Sequence, residues 1–392
     1  MIKVLRIVNR FNLGGPTYNV TYLSAFLPEE FETILCGGTH EANEGDSLFI
    51  PERYGVKPVI VQSLQRSINP LNDRKALNEI RRIIKEFKPD IVHTHASKAG
   101  ALGRTAAYKE KVPVIVHTFH GHVFHSYFGK FKTWIYKLAE RRLAKKTDAI
   151  IAISEIQKTE LTQIHKIAPA DKFRVIQLGF DLDRFHENKE NKRIDFRTKY
   201  KLAENEIAVG IIGRLTAIKN HELFIESIRL ITENPNLKIR AFIIGDGERM
   251  AELQALVKEV EEERGTKIFE FTSWIKNVDD ILPGLDIVAL TSFNEGTPVS
   301  LIEAQASGVP IISTNVGGVS DVVSNGQTGF VIDGFERKAF AEKLSELAVN
   351  RELRLKMSQN GWNYVEHKFH YKRLCNDVAN LYKELLEKKL KK

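Results

Sequence analysis

Two successive series of short β-branched runs, each run followed by a longer stretch of helical apolar spacing, constrain this chain more than any other feature. The first series falls at residues 4–8, 90–93, 113–117 and 149–153, the second at 208–212, 240–244, 267–271, 286–290 and 310–313. Strands alternating with helices form a parallel sheet covered on both faces, so each series predicts one doubly wound α/β domain. The length of 392 residues agrees, because a single core rarely grows that large. Between the series, residues 186–193 carry no apolar side chain, the composition of an exposed boundary. The expected domains are 1–187 and 188–369, followed by a terminal helix, 370–392, with Tyr371, Leu374, Val378, Leu381 and Leu385 at helical spacing. Spacing alone does not say which domain that helix packs on.

Lys and Arg number 58 against 50 Asp and Glu, a net charge of +8 that favours an anionic partner. No helix-turn-helix, zinc-finger or RNP-like pattern directs that charge to nucleic acid, so no nucleic-acid partner is expected. No run approaches the roughly 20 apolar residues of a spanning helix, and Met1 to Arg6 lack a signal-peptide core, so a cytoplasmic protein is expected. Cys36 and Cys375 stand far apart without His or Cys at metal spacing; both are expected to be reduced and buried or inert.

Ligands of open α/β sheets sit outside the carboxyl ends of strands, so the loops after strands carry the functional reading. After the first strand comes Asn12-Leu13-Gly14-Gly15-Pro16, where Gly14 and Gly15 either bring backbone close to a phosphate or simply allow a tight turn. The third glycine of G-x-G-x-x-G is missing here and at Gly245-Asp246-Gly247, and no Walker loop exists, which argues against dinucleotide and P-loop chemistry.

After the first strand of the second half, Gly213-Arg214-Leu215 and Lys219 precede an amphipathic helix through Leu223, Phe224, Ile228 and Ile231. A guanidinium, an ammonium and a helix start at one strand end make a diphosphate clamp, or else a solvated loop. Further on, Glu295-Gly296-Thr297-Pro298-Val299-Ser300-Leu301-Ile302-Glu303 places two glutamates 303 − 295 = 8 positions apart, one in a loop and one inside the next helix. Glu295 can meet one end of a ligand while the amides of Val299, Ser300 and Leu301 face a phosphate and Glu303 reaches a ribose diol.

His93, His95, His117, His120, His122 and His125 follow first-half strands at spacings that fit no zinc pattern; a polar cleft lined by neutral imidazoles is the expected context. Asp181-Leu182-Asp183 has the letters of the D-x-D metal motif but lies before a whole second domain, so no metal is assigned to it. Residues 129–146 carry seven cations and one anion, with Phe131, Trp134, Ile135, Leu138 and Leu143 on one broad face. Such a basic amphipathic helix suits an anionic bilayer surface while part of its apolar face packs on the core.

With these residues assembled, the chain resembles glycosyltransferase family 4, the retaining group 1 enzymes of bacterial surface-polysaccharide assembly. The resemblance rests on the Gly-Gly loop, His-Thr-Phe-His at 117–120, Gly-Arg-Leu with Lys219, the paired glutamates, and Ser-Gly-Val-Pro-Ile-Ile-Ser-Thr-Asn-Val-Gly-Gly at 307–318. It implies the GT-B fold: two Rossmann-like domains facing across a cleft, the last helix crossing back to the N-terminal domain. By the same resemblance, Arg214 and Lys219 grip the diphosphate and Glu303 takes the ribose. Glu295, Gly296, Thr297 and the following amides hold the donor sugar, Trp274 faces the base, and Gly15 and His120 close over phosphate and sugar. It further implies a nucleotide-sugar donor, commonly UDP-linked, no metal and no cofactor, and a lipid-linked or glycan acceptor at the inner face of the membrane. The usual E-G-F-G loop reads Glu295-Gly296-Thr297-Pro298 here, which leaves the sugar contacts open. Two alternatives use the same fold: a nucleotide-sugar 2-epimerase, and a non-catalytic nucleotide-sugar-binding protein.

Overall fold

The computed structural model describes residues 1–12, 15–39, 47–65, 67–121 and 129–391. It resolves into two compact units, Met1–Phe180 with Phe369–Lys392, and Asp181–Lys368. In the first, β1 Ile2–Arg10, β2 Phe31–Gly38, β3 Val59–Ile60, β4 Ile91–His95, β5 Val114–Phe119, β6 Ala149–Ala152 and β7 Phe173–Val175 form, among the described residues, a seven-stranded sheet. Its order is β3-β2-β1-β4-β5-β6-β7, every neighbour parallel. In the second, β8 Ile207–Ile212, β9 Ile239–Ile244, β10 Phe269–Ser273, β11 Ile287–Leu290, β12 Ile311–Thr314 and β13 Gly329–Ile332 form a six-stranded parallel sheet of order β10-β9-β8-β11-β12-β13. The winding reverses between β1 and β4 in one sheet and between β8 and β11 in the other. These are the places where loops diverge and leave a crevice at the strand ends.

Burial explains the winding. In the second unit, Val209, Ile211, Ala241, Ile243, Ile287, Ala289 and Ile312 of the sheet pack against Leu223, Phe224 and Ile228 of helix His221–Ile231 and Phe340 and Leu344 of helix Arg337–Val349. Each fully buried side chain of this size contributes about 1.5–3 kcal/mol. In the first unit, Leu374, Cys375, Val378 and Tyr382 of the last helix, Tyr371–Leu390, join Val4, Ile91, Val114 and Ala149 in one core. The last helix therefore belongs to the first unit, which its spacing alone left open. Burial pushes the Cys36 and Cys375 thiols up to about 12, so both stay free, protonated and unreactive.

Two expectations need correction. The charged run at 186–193 is not a linker: its end belongs to helix Lys189–Lys199, where Lys192 pairs with Asp279 at 3.0 Å and Arg193 with Asp286 at 2.7 Å. Lys192 and Arg193 are thus matched across the unit rather than solvated, and the chain divides earlier, at Phe180/Asp181, than the expected 187/188. Strands β2, β3, β7 and β13 were not anticipated, because β2 begins in a polar Phe-Glu-Thr stretch and the other three span four residues or fewer.

Candidate functional site

The second unit gathers its charged loops at its reversal point. The loop leaving β8 ends in a tight turn, Ala217–Lys219, closed by Asn220 in the left-handed region at φ 48° before helix His221–Ile231 begins. From there Lys219 Nζ reaches Glu295 Oε1 at 2.6 Å, and the Ser292 hydroxyl donates to the same oxygen at 2.6 Å. Backbone ties hold the two loops together: the Thr291 hydroxyl donates to the Lys219 carbonyl at 3.0 Å and to that of Asn220 at 2.8 Å, and the Phe293 amide to the Ile218 carbonyl at 2.8 Å. Arg214 is exposed, with no partner among the described residues. A paired lysine and an unengaged guanidinium at one strand edge offer one preset and one adaptable cation to an anion.

Glycines whose packing role the sequence does not reveal shape these loops. A Cβ on Gly245, at φ +144°, would sit 1.9 Å from the Gly213 carbonyl oxygen, and one on Gly247 would sit 2.5 Å from that of Leu215. Only bare backbone lets the loop after β9 lie against the loop bearing Arg214, and the Leu215 amide closes the contact by donating to the Asp246 carbonyl at 2.9 Å. Gly317, at φ +52°, does the same for the other loop: its Cβ would meet the Glu295 carbonyl oxygen at 1.8 Å. The Gly318 amide donates to the Gly296 carbonyl at 3.0 Å.

The remaining second-unit residues are placed as follows. Trp274 is 59% exposed beyond β10, next to Ser273, whose hydroxyl donates to Asp246 at 3.4 Å. Gly296 is exposed and Thr297 half-buried. Helix Val299–Ala306 starts at Pro298, and the Leu301 amide donates to the Pro298 carbonyl at 3.1 Å. The helix start thus offers the amides of Val299 and Ser300, not the expected three. Glu303 stands further along this helix, partly buried; loss of hydration pushes its carboxyl up to about 7, Arg184 opposing the rise and Asp279 adding to it. The structure joins Lys219 to Glu295 directly, while Arg214, Trp274 and Glu303 make no side-chain bond to that pair among the described residues.

The first unit corrects the histidine reading. His93, His95 and His117 lie wholly buried within β4 and β5, not along an open cleft, and His120 sits just past β5, partly exposed. A fully buried parallel strand has no polar face, so ring polarity is met inside the core. His93 Nδ1 is 2.6 Å from the Tyr382 hydroxyl and its Nε2 2.7 Å from that of Thr118; His117 Nδ1 is 2.9 Å from the Thr94 hydroxyl; His95 Nδ1 is 2.9 Å from His120 Nε2. Burial lowers the pKa of all four rings, His120 to about 4, so they are neutral at physiological pH. Gly15 opens helix Gly15–Ala25, and a Cβ there would meet nothing within 4 Å, so packing among the described residues does not demand glycine. Gly14, His122 and His125 lie outside the described residues.

Comparison with known proteins matches this arrangement half by half. The family description "Glycosyltransferase Family 4" matches residues 13–184 and "Glycosyl transferases group 1" matches 192–364. An Escherichia coli UDP-Gal:alpha-D-GlcNAc-diphosphoundecaprenol alpha-1,3-galactosyltransferase is 32% identical over 85% of each chain. The chain is a group 1, family 4 glycosyltransferase. The Staphylococcus aureus capsular polysaccharide biosynthesis glycosyltransferase CapM is 27% identical over 83% of this chain and 84% of its own. The Anabaena protein HepE, solved in complex with UDP, superposes with a TM-score of 0.81 at 18% identity over 98% of this chain and all of its own, which supports the two-domain α/β GT-B fold.

In this transferase no group of three or more His, Cys, Asp or Glu side chains is arranged to hold a metal ion among the described residues. None of their helices is long and apolar enough to cross a membrane. Helix Lys130–Ala144 exposes Phe131, Trp134 and Ile135 at 73%, 57% and 45%. Its single acid, Glu140, turns inward to pair with the buried Arg104 at 2.7 Å. The outward face of the helix is left with cations and apolar side chains and no carboxylate.

Proposed function

We propose that the transferase takes a sugar from a nucleotide-diphosphate sugar, in the first instance a UDP-sugar, and passes it with retention to a lipid-linked or glycan acceptor in surface-polysaccharide assembly. The observation that carries this reading is the Lys219–Glu295 pair at the reversal point of the second sheet, its lysine on the same loop after β8 that bears the unengaged Arg214. In this reading Arg214 and Lys219 receive the diphosphate, Glu303 the ribose, and Trp274 the base. Glu295, Gly296, Thr297 and the amides of Val299 and Ser300 receive the sugar; in the first unit, Gly15 and His120 are the groups proposed to meet phosphate and sugar. The names of the relatives favour transfer over epimerisation or mere binding: one acts on a diphosphoundecaprenol-linked sugar and one serves capsule synthesis.

The chemistry asked of these groups is modest. The acceptor hydroxyl approaches the anomeric carbon on the face the diphosphate leaves; its oxygen bonds to that carbon as the carbon–oxygen bond to phosphate breaks, and its proton passes to the departing phosphate oxygen. Negative charge grows on the diphosphate, where Arg214 and Lys219 supply the neutralisation a divalent ion gives elsewhere, so neither metal nor cofactor is required. The test is a panel of nucleotide sugars incubated with the protein and a lipid-diphosphate-linked acceptor in the presence of a chelator. Retained transfer that collapses by orders of magnitude in Arg214→Ala and Lys219→Ala supports the reading; altered nucleotide sugar without acceptor, or full activity in both variants, overturns it.

The acceptor side implies a peripheral position on an anionic membrane, through helix Lys130–Ala144. Phe131, Trp134 and Ile135 would enter the interface while Lys132, Lys137, Arg142 and Lys145 meet lipid phosphates. A hollow of about 380 Å³ bordered by Arg141, Lys145, Lys166 and Lys172 continues this cationic rim. Sedimentation with anionic but not zwitterionic vesicles, lost in Phe131→Ser with Trp134→Ser, is the expected outcome; equal sedimentation with both variants and both vesicle types removes the proposal.

A further inference from the structure

The second sheet carries charge at both of its edges. The loops bearing Arg214 and Glu295 leave the carboxyl ends of β8 and β11. At the opposite edge, where Asp286 enters β11 and Pro310 enters β12, lies a hollow of about 370 Å³. That size falls within the roughly 300–1,000 Å³ of small-molecule pockets. Two helices, Lys189–Lys199 and Arg351–Phe369, border it with their first two turns and bring Lys189, Arg193, Arg351 and Arg354 to one place. Two acids, Glu190 and Asp286, line the hollow with these four cations.

The charges there are not matched within the protein. Asp286 accepts from Arg193 at 2.7 Å, from Arg197 at 3.2 Å and from the Ala208 amide at 2.8 Å, and no hydrogen bond from it reaches the other three cations. The Lys189 and Arg351 side chains make no ion pair or hydrogen bond among the described residues. Arg354 gives its Nη1 to the Leu347 and Ala348 carbonyls at 2.6 and 2.7 Å, which are neutral acceptors, and its Nε and Nη2 have no partner among the described residues. Burial lowers the pKa of Arg354, with Asp286 opposing and repulsion from Arg193 and Arg351 adding to the fall; burial likewise lowers that of Lys189, with Glu190 opposing. Gly308 keeps a gap open between these groups. At φ +75° it follows helix Val299–Ala306 in the left-handed region, and a Cβ there would sit 2.9 Å from Ser358 Oγ and 3.4 Å from Lys189 Nζ. The Ser358 hydroxyl also has no hydrogen-bond partner among the described residues, so an ammonium and a hydroxyl flank one bare-backbone gap unoccupied.

We propose that this hollow is a second anion site, separate from the donor site, and that it binds a phosphate group, free or carried on a small organic molecule. Guanidinium groups pair with phosphate oxygens bidentately, an ammonium acts as a point charge, and a hydroxyl supplies a neutral donor, so Arg351, Arg354, Lys189 and Ser358 form a complete set for one such group. Three cations bonded to no carboxylate call for a ligand with about two negative charges and at least three acceptor oxygens. A phosphate meets both requirements, whereas a carboxylate brings one charge and two oxygens. The inference does not use the donor assignment, since none of the residues placed there takes part.

The test is calorimetric titration of inorganic phosphate and of glucose 6-phosphate into the full chain, at fixed ionic strength with chloride as the background salt. It is run on the wild type and on Arg214→Ala with Lys219→Ala, which silences the proposed diphosphate clamp. Saturable binding should persist in the clamp variant and weaken roughly tenfold or more when Lys189→Ala and Arg351→Ala are added, as for the loss of charge-assisted hydrogen bonds. Arg351→Glu changes an exposed position and should weaken binding at least as much, which keeps the proposal testable if Lys189→Ala does not fold. Tighter binding of the ester identifies a carried phosphate and equal binding a free one, and either result supports the site. Absence of both saturable heat and a phosphate-dependent rise in Tm overturns the proposal, as does an affinity unchanged in both sets of hollow variants. Phosphate binding that the wild type shows and the clamp variant loses would place the anion at the donor site and overturn it as well.

Discussion

Lys219 Nζ and Glu295 Oε1 stand 2.6 Å apart, and the Ser292 hydroxyl occupies the same carboxylate oxygen. Lys219 is therefore aimed before any anion arrives, by an acid from the other side of the reversal point. A preset cation stabilises charge as it develops without a reorganisation cost at the moment of reaction. Glu295→Gln keeps the shape but frees the ammonium, and turnover is expected to fall by roughly 10²–10³-fold, as when one oriented donor is lost. UDP affinity should hold or improve, because the carboxylate no longer competes for Lys219. The double variant with Lys219→Ala should be no slower than Lys219→Ala alone; independent, multiplying losses in steady-state kinetics would show that the pair does not act as a unit.

Glu303 gives a pH signature. Its carboxyl is pushed up to about 7 by burial, with Arg184 opposing and Asp279 assisting, so in the free protein it is largely protonated below that value. Ribose hydroxyls donate best to the ionised form, so donor binding should tighten as pH rises through 7. The dissociation constant should fall about tenfold from pH 6 to pH 8, as a single group titrating midway requires, with proton release on binding at the acid end. For stability the sign is the reverse. A carboxyl pKa raised on folding adds stability below the unfolded value of 4.5, and that increment is lost as pH rises towards 7. Calorimetric titration of a UDP-sugar, whose diphosphate ester does not titrate in this range, checks the binding trend. A flat profile in the wild type, or a slope that survives Glu303→Gln, would exclude Glu303 as the source.

The backbone glycines that carry these loops yield a separate expectation. Gly317→Ala puts a methyl 1.8 Å from the Glu295 carbonyl oxygen at a φ of +52°, and Gly245→Ala puts one 1.9 Å from the Gly213 carbonyl oxygen at +144°. The backbone strain alone costs about 1–3 kcal/mol each, and the facing loop must move as well. Neither glycine carries a side chain to touch a ligand, yet Gly245→Ala should lose UDP affinity by moving Arg214, and Gly317→Ala should lose turnover by moving Glu295. Unchanged UDP affinity by calorimetry in Gly245→Ala, or unchanged turnover in Gly317→Ala, with a lowered Tm would mean that the loop concerned tolerates the shift.

What the sequence disclosed and what it hid follow from the range of the interactions. The places of Arg214, Lys219 and Glu295 in strand-end loops, and of Glu303 in the helix that follows, were legible because charged residues beside glycine after β-branched runs mark such loops in a wound sheet. The Gly245 and Gly317 contacts were not, since each glycine supports a loop about 20 to 30 positions away and nothing local distinguishes it from an ordinary turn. The histidines misled for another reason: in β4 and β5 every side chain is buried, so alternation vanishes and polar rings can pair within the core. Residues 186–193 looked like a linker because Asp279 and Asp286, the partners of Lys192 and Arg193, lie far along the chain.

The last expectation concerns Arg104 and Glu140, the buried ion pair that fastens the basic helix to its unit. Arg104 has no exposed surface and donates to the Gly100 carbonyl at 2.8 Å as well as to Glu140 at 2.7 Å. Glu140→Gln leaves a buried guanidinium without its counter-charge, a loss of about 3–5 kcal/mol for pairs of this kind. Because the two units have separate cores, the change should lower the calorimetric transition of the first unit by roughly 6–20 °C and leave that of the second in place. Arg104→Met with Glu140→Leu removes both charges at similar volume, and a well-packed apolar pair there should regain most of the lost stability. If the double variant melts as low as Glu140→Gln, shape rather than charge holds the helix; if Glu140→Gln melts with the wild type, the pair contributes nothing and the inward turn of this lone acid has another cause.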